Sequence, residues 1–189
     1  MRDDLIIEIQ TGSFSKVRDK LASLLPHHKV RLVYPVALEK TLVVYDHNME
    51  NVIYRRRSPK RGELLDVVDQ MIHIPKLLVH PNFSLEVVLT QEEEIRSSDG
   101  RGSWRRKGIS IIDRRLLSVV NRVQFFCVRD YLRLFPHELP RSFTNRILSE
   151  TMKRPVRKIQ KLTYCFRQMG LLRVKGKQGN ALVFEVVEE

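Results

Sequence analysis

The stretch RSFTNRILSETMKRPVRKIQKLTYCFRQMGLLRVKGKQGNALVFEVV, residues 141–187, decides how the rest of the chain is read. Pro155 follows Lys153 and Arg154, and proline suits a first helical position because no backbone donor is needed there. Val156, Ile159, Leu162, Phe166 and Met169 then recur at spacings of three and four, which lays one apolar stripe along a helix. At about 100° per residue, the opposite flank carries Arg157, Gln160, Lys161, Tyr164 and Gln168. Gly170 ends the helix where a left-handed residue costs least. Leu171–Lys175 and Ala181–Val187 read as strands joined by Gly176 to Asn180, a hairpin with a basic tip. Just upstream, Thr144 to Thr151 is a short amphipathic segment with Phe143 before it.

Short helix, link, longer basic helix and two-stranded wing: this order resembles a winged helix-turn-helix domain. The resemblance implies double-stranded DNA as the partner. A helix fits the major groove, where Arg, Gln and Lys meet base edges, so Arg154, Arg157, Lys158, Gln160, Lys161, Tyr164 and Gln168 are the expected contacts. Lys175 and Lys177 near the wing tip would meet phosphate, which positions the domain without reading sequence. The charged flank also admits two plainer readings, a solvated surface helix or a helix that holds a protein partner.

Charge favours the first reading. The net charge is +12, and its distribution says more than its size. Residues 1–100 hold 14 Lys/Arg against 15 Asp/Glu, whereas residues 101–189 hold 20 against 7. An excess confined to one half points to a polyanion there, nucleic acid before an anionic membrane. No apolar run approaches the roughly 18 residues that span a bilayer. The charged opening Met1-Arg2-Asp3-Asp4 is unlike a signal peptide. Cys127 and Cys165 are isolated on apolar stretches, so both read as reduced core residues of a cytoplasmic protein. Neither has zinc-finger spacing.

The first half reads as strand Asp4–Gln10, a Thr11–Ser13 turn, a helix with Val17, Leu21, Leu24 and Leu25 inward, and strand Val30–Val36. Short links between them argue for a parallel strand pair. Thr41–Tyr45 and Val52–Tyr54 flank turn residues and form a hairpin; Arg55 to Gly62 follows as a basic loop, and Glu63–Met71 as a helix. Leu85–Ile95 is a strand with an exposed acidic end, Glu92 to Glu94, expected to balance nearby arginines. In the loop 97–108, Trp104 is expected to anchor into the core, as tryptophan is highly buried on average. Arg105, Arg106 and Lys107 beside it could instead grip a backbone while the ring stacks on a base. Ile112, Leu116, Val119 and Val120 stand at helical spacing, so Ile109–Val120 reads as a helix. Val128–Phe135 would open the C-terminal domain. One boundary near residues 121–127 separates a domain of residues 1–121 from another of 122–189.

Glu8-Ile9-Gln10, on an apolar strand followed by a turn, a helix and a second strand, is similar to the second half of a PD-(D/E)XK nuclease core with Gln in place of the lysine. The resemblance implies an α/β (α+β) fold, a small mixed sheet with flanking helices, and catalytic residues Glu8, a ligand for Mg²⁺, and Gln10. Spacing i, i+2 puts both side chains on one face of the strand, and the metal would activate water. Asp3 and Asp4 are the only acids ahead of Glu8, and they lie along the same strand, so the site is incomplete. A truncated half of this kind joined to a winged helix, with His80-Pro81-Asn82-Phe83 and Gly102-Ser103-Trp104-Arg105-Arg106, also resembles an uncharacterised bacterial family. Three functions follow in order: a double-stranded DNA-binding protein whose nuclease-like half is inactive, a Mg²⁺-dependent DNA nuclease, and a protein-interaction adaptor. In the first, the N-terminal half is scaffold, homodimer interface or ligand sensor, alternatives the sequence leaves open.

Overall fold

The computed structural model of the protein describes residues 4–136 and 138–187. It is a mixed α+β chain in two units. One unit is Met1–Tyr34, Leu65–Val87 and Val123–Glu189; the other is Pro35–Leu64 and Val88–Arg122. The chain therefore crosses between units at Tyr34/Pro35, Leu64/Leu65, Val87/Val88 and Arg122/Val123. A single boundary at 121/122 captures only the last of these crossings, because the long strands run through both units.

The chain begins with β1 (Leu5–Ile9), a 3₁₀ turn at Phe14–Lys16, α1 (Arg18–Leu24) and β2 (Lys29–Tyr45). β1 pairs in parallel with the start of β2, from Leu5 opposite Lys29 to Ile9 opposite Val33, as the short links require. Phe14, Leu21 and Leu25 are fully or almost fully buried, which seats α1 through its apolar stripe. The two strands read at 30–36 and 41–45 are one continuous strand, β2. Pro35, which lacks an N–H to donate, falls between the part of β2 paired with β1 and the part paired with β3 (Val52–Arg57). The β2–β3 hairpin is closed by Asp46, whose carboxylate accepts from the backbone N–H of Glu50 and Asn51. Arg55 to Arg57 therefore lie on a strand and not in a loop, opposite Val43, Leu42 and Thr41.

A 3₁₀ turn at Leu64–Val67 and the short helix α2 (Val68–Met71) take the place of one longer helix; β4 (Phe83–Ser97) and β5 (Ser110–Phe125) follow. The strand order is β1-β2-β4-β5, with β3 on β2. β5 corrects the helix expected over Ile109–Val120. Its spacing of apolar residues is compatible with 3.6, yet six Ile and Val in residues 109–123 are stiff β-branched side chains that favour an extended chain.

The acidic triplet meets arginines as expected, but its exposure is corrected. Glu92 to Glu94 lie within β4, and Glu94 is buried. Its carboxylate meets Lys40 Nζ at 3.1 Å, Arg96 Nη2 at 2.6 Å and Arg114 Nε at 3.3 Å. Glu93 instead takes Arg55 at 2.9 Å, and Glu92 accepts from the Thr90 hydroxyl. Burial pushes the Glu94 carboxyl up, but hydrogen bonds from Arg96 and Lys40 outweigh it and hold the group below the usual carboxylate range.

The C-terminal elements are a 3₁₀ helix at Val128–Leu134, β6 (Phe143–Thr144), α3 (Asn145–Met152), α4 (Val156–Gln168), β7 (Leu172–Gln178) and β8 (Ala181–Val186). The strands form a second sheet in the order β6-β8-β7. Its core is aromatic: Phe135 meets Phe143 and Phe166 at ring separations of 5.9 and 4.6 Å, and Phe143 meets Phe184 at 6.2 Å. Ile159, Leu162, Cys165 and Phe166 of α4 and Leu148 of α3 are fully buried beside them.

Candidate nucleic-acid interface

Local chemistry sets α3 and α4. The Thr144 hydroxyl caps α3 by accepting from the Ile147 N–H at 3.3 Å. Lys153 ends α3 in the left-handed region at φ 53°. Pro155 then fixes the entry to α4, which closes at Gly170, φ 77°. The Leu171 N–H donates to the Phe166 carbonyl and the Gly170 N–H to that of Arg167. This is the paired closing pattern that favours glycine.

α4 buries one side and leaves a strip of Arg157, Gln160, Tyr164, Arg167 and Gln168 exposed. Arg167 belongs to this strip and was not among the expected contacts; its position about 80° round the helix from Arg157 was the available signal. Neither Arg157 nor Arg167 has an acidic partner among the described residues. Lys158 and Lys161 lie differently. Lys158 is paired with Asp66 and stands 3.8 Å from Asp69, and Lys161 donates to Asp69 at 2.6 Å. Both lysines thus fasten α4 to the α2 segment. Arg154 is half-buried, with its guanidinium donating to the Lys153 carbonyl at 3.0 Å.

Lys158→Ala is accordingly expected to act on folding more than on a ligand. Asp66 and Asp69 would lose a cation that is mostly buried, lowering stability by about 1–3 kcal/mol, whereas Lys161→Ala, at a more open pair, should cost under about 1 kcal/mol. Thermal unfolding of the two variants checks the order.

The β7–β8 hairpin turns at Gly179-Asn180 between paired Gln178 and Ala181. Gly179 takes φ 60°, which suits a turn with glycine first. A bulge lies between Val174 and Gly176. Arg173 is paired with Glu185, and Lys175 stands 3.4 Å from the same carboxylate. Lys177, nearer the tip, has no acidic partner among the described residues.

Trp104 departs from expectation, being 82% exposed. Its loop is closed by backbone instead: the Gly102 N–H donates to Gly108 at 2.8 Å and the Lys107 N–H to Trp104 at 3.0 Å. A Cβ at Gly102 would sit 1.9 Å from the Ile109 carbonyl oxygen, so only glycine fits. The loop is closed by these backbone bonds and by the Asp99 and Arg106 side chains, with no part taken by the Trp104 ring. Arg105 lies 5.5 Å from the Trp104 ring, Arg106 donates to the Ile109 carbonyl, and Lys107 is exposed.

The nuclease resemblance implies Mg²⁺ at Glu8, and the residues present do not fit it. The Glu8 carboxylate is held by Lys20 Nζ at 2.6 Å. Gln10 closes its own turn, accepting from the Gly12 N–H and donating to the Ser13 carbonyl. No group of three His, Cys, Asp or Glu side chains that could hold a metal occurs among the described residues. Asp3 lies outside them.

Cys127 is exposed, not in the core, because Asp130 draws its backbone into a cap: the Phe126 and Cys127 N–H groups donate to the carboxylate at 2.7 and 3.1 Å. Cys165 is buried, and burial pushes its thiol up to about 12. Alkylation of the native protein should therefore add one adduct, at Cys127, read by mass spectrometry; a second adduct would contradict the packing of α4.

These features define a mixed α+β protein with an exposed cationic helix face and a separate basic loop carrying an exposed tryptophan. No helix among the described residues is long and apolar enough to cross a membrane. Residues 1–126 match the family described as Domain of unknown function (DUF8091), and the chain belongs to that family. It is 33% identical over 123 residues to an uncharacterised protein of Treponema pallidum (strain Nichols); the match covers 65% of this chain and 49% of that protein. The chain thus spans about half the length of this relative. No solved structure matches. The α3–α4 pair and the β7–β8 hairpin lie beyond the residues matched to the family.

Proposed function

We propose that this protein binds double-stranded DNA through the exposed strip of α4, with the β7–β8 hairpin meeting phosphate. The observation that carries this reading is the division of charge on α4. Lys158 and Lys161 are consumed by Asp66 and Asp69, while Arg157, Gln160, Tyr164 and Arg167 face solvent with no carboxylate beside them among the described residues. The order helix, β6, α3, α4, β7, β8, and the strand order β6-β8-β7, support a winged helix arrangement, in which the second helix of the pair enters the major groove. Helix side chains would read base edges and Lys177 would hold backbone.

The test is a fluorescence-anisotropy titration of a duplex at several salt concentrations. Three or four phosphate contacts give a slope of log affinity against log salt of about −3. Failure to bind at low salt, or a flat slope, overturns the reading in favour of a protein-binding helix. Trp104 favours a second contact, with an unpaired base. Trp104→Ala should weaken single-stranded DNA by about 1–3 kcal/mol and leave duplex affinity unchanged. Equal loss for both would refute a separate stacking contact.

A further inference from the structure

β5 is the outer strand of its sheet, with β4 as its neighbour. Every residue from 112 to 122 is exposed, including Ile112 at 53%, Leu116 at 61%, Leu117 at 54% and Val120 at 52%. Among the described residues no strand other than β4 pairs with β5, although Arg114 reaches Glu94 and Ser118 reaches Gln91 on β4. A long apolar edge of this kind templates pairing with another strand. Two backbone donors show which residues aim outward. The Arg114 N–H turns back to Asp113 Oδ1 and the Arg122 N–H to Asn121 Oδ1, both at 2.7 Å. Peptide groups alternate along a strand, so the even-numbered residues present their N–H and C=O to the open edge.

On the face they share, these side chains are symmetric in kind about Leu116, except that the cation Arg114 is matched by the neutral Ser118. Ile112, Arg114, Leu116, Ser118 and Val120 place a branched apolar residue four positions either side of Leu116, and a polar residue two positions either side. We propose that β5 pairs antiparallel with β5 of a second copy of this chain, about a twofold axis through Leu116. A twofold axis normal to a sheet keeps each face on its own side, so even residues oppose even residues. Ile112 then faces Val120 of the second copy, Leu116 faces Leu116, and Arg114 faces Ser118; cross-strand pairs of this type stabilise a sheet.

Other centres are worse. An axis at Arg114, Arg115 or Ser118 sets arginine against arginine, at 114/114, 115/115 or 114/122. An axis at Leu117 opposes Ile112 to Arg122 and Arg114 to Val120, which breaks the apolar ladder. On the odd face the Leu116 register sets Asp113 against Val119 and Arg115 against Leu117, so apolar pairing is confined to the even face while no like charges meet. A second copy is thus the occupant whose chemistry the edge itself specifies.

Sedimentation velocity of the full chain, with cysteine cross-linking in a Cys127→Ser background, tests this. The protein is expected to dimerise, and Leu116→Arg, which places two cations on the axis, should weaken the dimer roughly 100-fold. Hydrogen-bonded residues in an antiparallel pair lie about 5.5 Å apart at Cα, inside the range of roughly 4.4–6.8 Å that a disulfide spans. Leu116→Cys should therefore oxidise to a covalent dimer. Ser118→Cys should not, since its mate lies roughly 14 Å away along the strand. Ile112→Cys mixed with Val120→Cys should link one to the other. A wild-type chain that sediments only as a monomer overturns the proposal. So does a dimer in which Leu116→Cys fails to link. Should Leu116→Arg merely misfold, the cysteine pattern still decides.

Discussion

Arg157→Glu combined with Arg167→Glu is expected to lower duplex affinity by about 3–5 kcal/mol at low salt, largely abolishing binding. Each arginine is exposed on α4 without an acid beside it among the described residues, and a base-reading arginine is worth about 1–3 kcal/mol. Reversal adds repulsion from phosphate to the lost contact. The fold should survive, because both side chains point away from the buried Ile159, Leu162 and Phe166. Anisotropy titration with circular dichroism as a folding control reads both quantities. Lys16→Glu, at an exposed site in the Phe14–Lys16 turn, is the comparison: equal loss there would mean that net charge alone drives association and that α4 holds no special place. Gln160→Ala and Tyr164→Ala refine the result, since loss confined to some duplex sequences marks base reading, and uniform loss marks backbone contact.

The largest effect on stability is expected at Glu94. Its carboxylate is almost wholly buried between Lys40, Arg96 and Arg114. Removing one partner of a buried ion pair leaves uncompensated charge, so Glu94→Ala should cost about 3 kcal/mol, or roughly 6–12 °C in Tm for a chain of this length. Glu93→Ala, whose partner Arg55 is largely exposed, should cost under about 1 kcal/mol.

The pH dependence has a definite sign. Because Glu94 is held below the usual carboxylate range in the fold, its contribution is complete above the unfolded value and is lost as pH falls through the folded one. The stability gap between wild type and Glu94→Gln should therefore narrow on acidification. Chemical unfolding at neutral and acid pH checks this, and a gap that widens in acid would contradict the ion-pair cluster.

Local chemistry made the C-terminal half legible in the sequence. Thr144, Pro155, Gly170 and the Gly179 turn are each dictated by a backbone need that neighbours in sequence satisfy, and α3, α4 and the hairpin fall close to where those residues put them. The parallel β1–β2 pair was likewise readable from short links and apolar strands. Period misled at β5, where Ile112, Leu116, Val119 and Val120 fit a helix. A strand exposed on both faces carries no alternation to announce itself.

The candidate site divides in the same way. Sequence by itself determined that α4 has one apolar and one polar flank, since 3.6-residue periodicity is a local property. Only the tertiary structure decided which polar residues remain available. Asp66 and Asp69 stand some 92 positions from Lys158 and Lys161, and no spacing rule relates charges so far apart in the chain. Trp104 and Cys127 differ for a related reason: hydrogen bonds that close each segment, mainly backbone bonds in the Trp104 loop and the Asp130 carboxylate at Cys127, leave both side chains outside the core. Glu8 looked like half of a metal site until folding set the ammonium of Lys20 beside it, because charge pairing across elements is written in three dimensions.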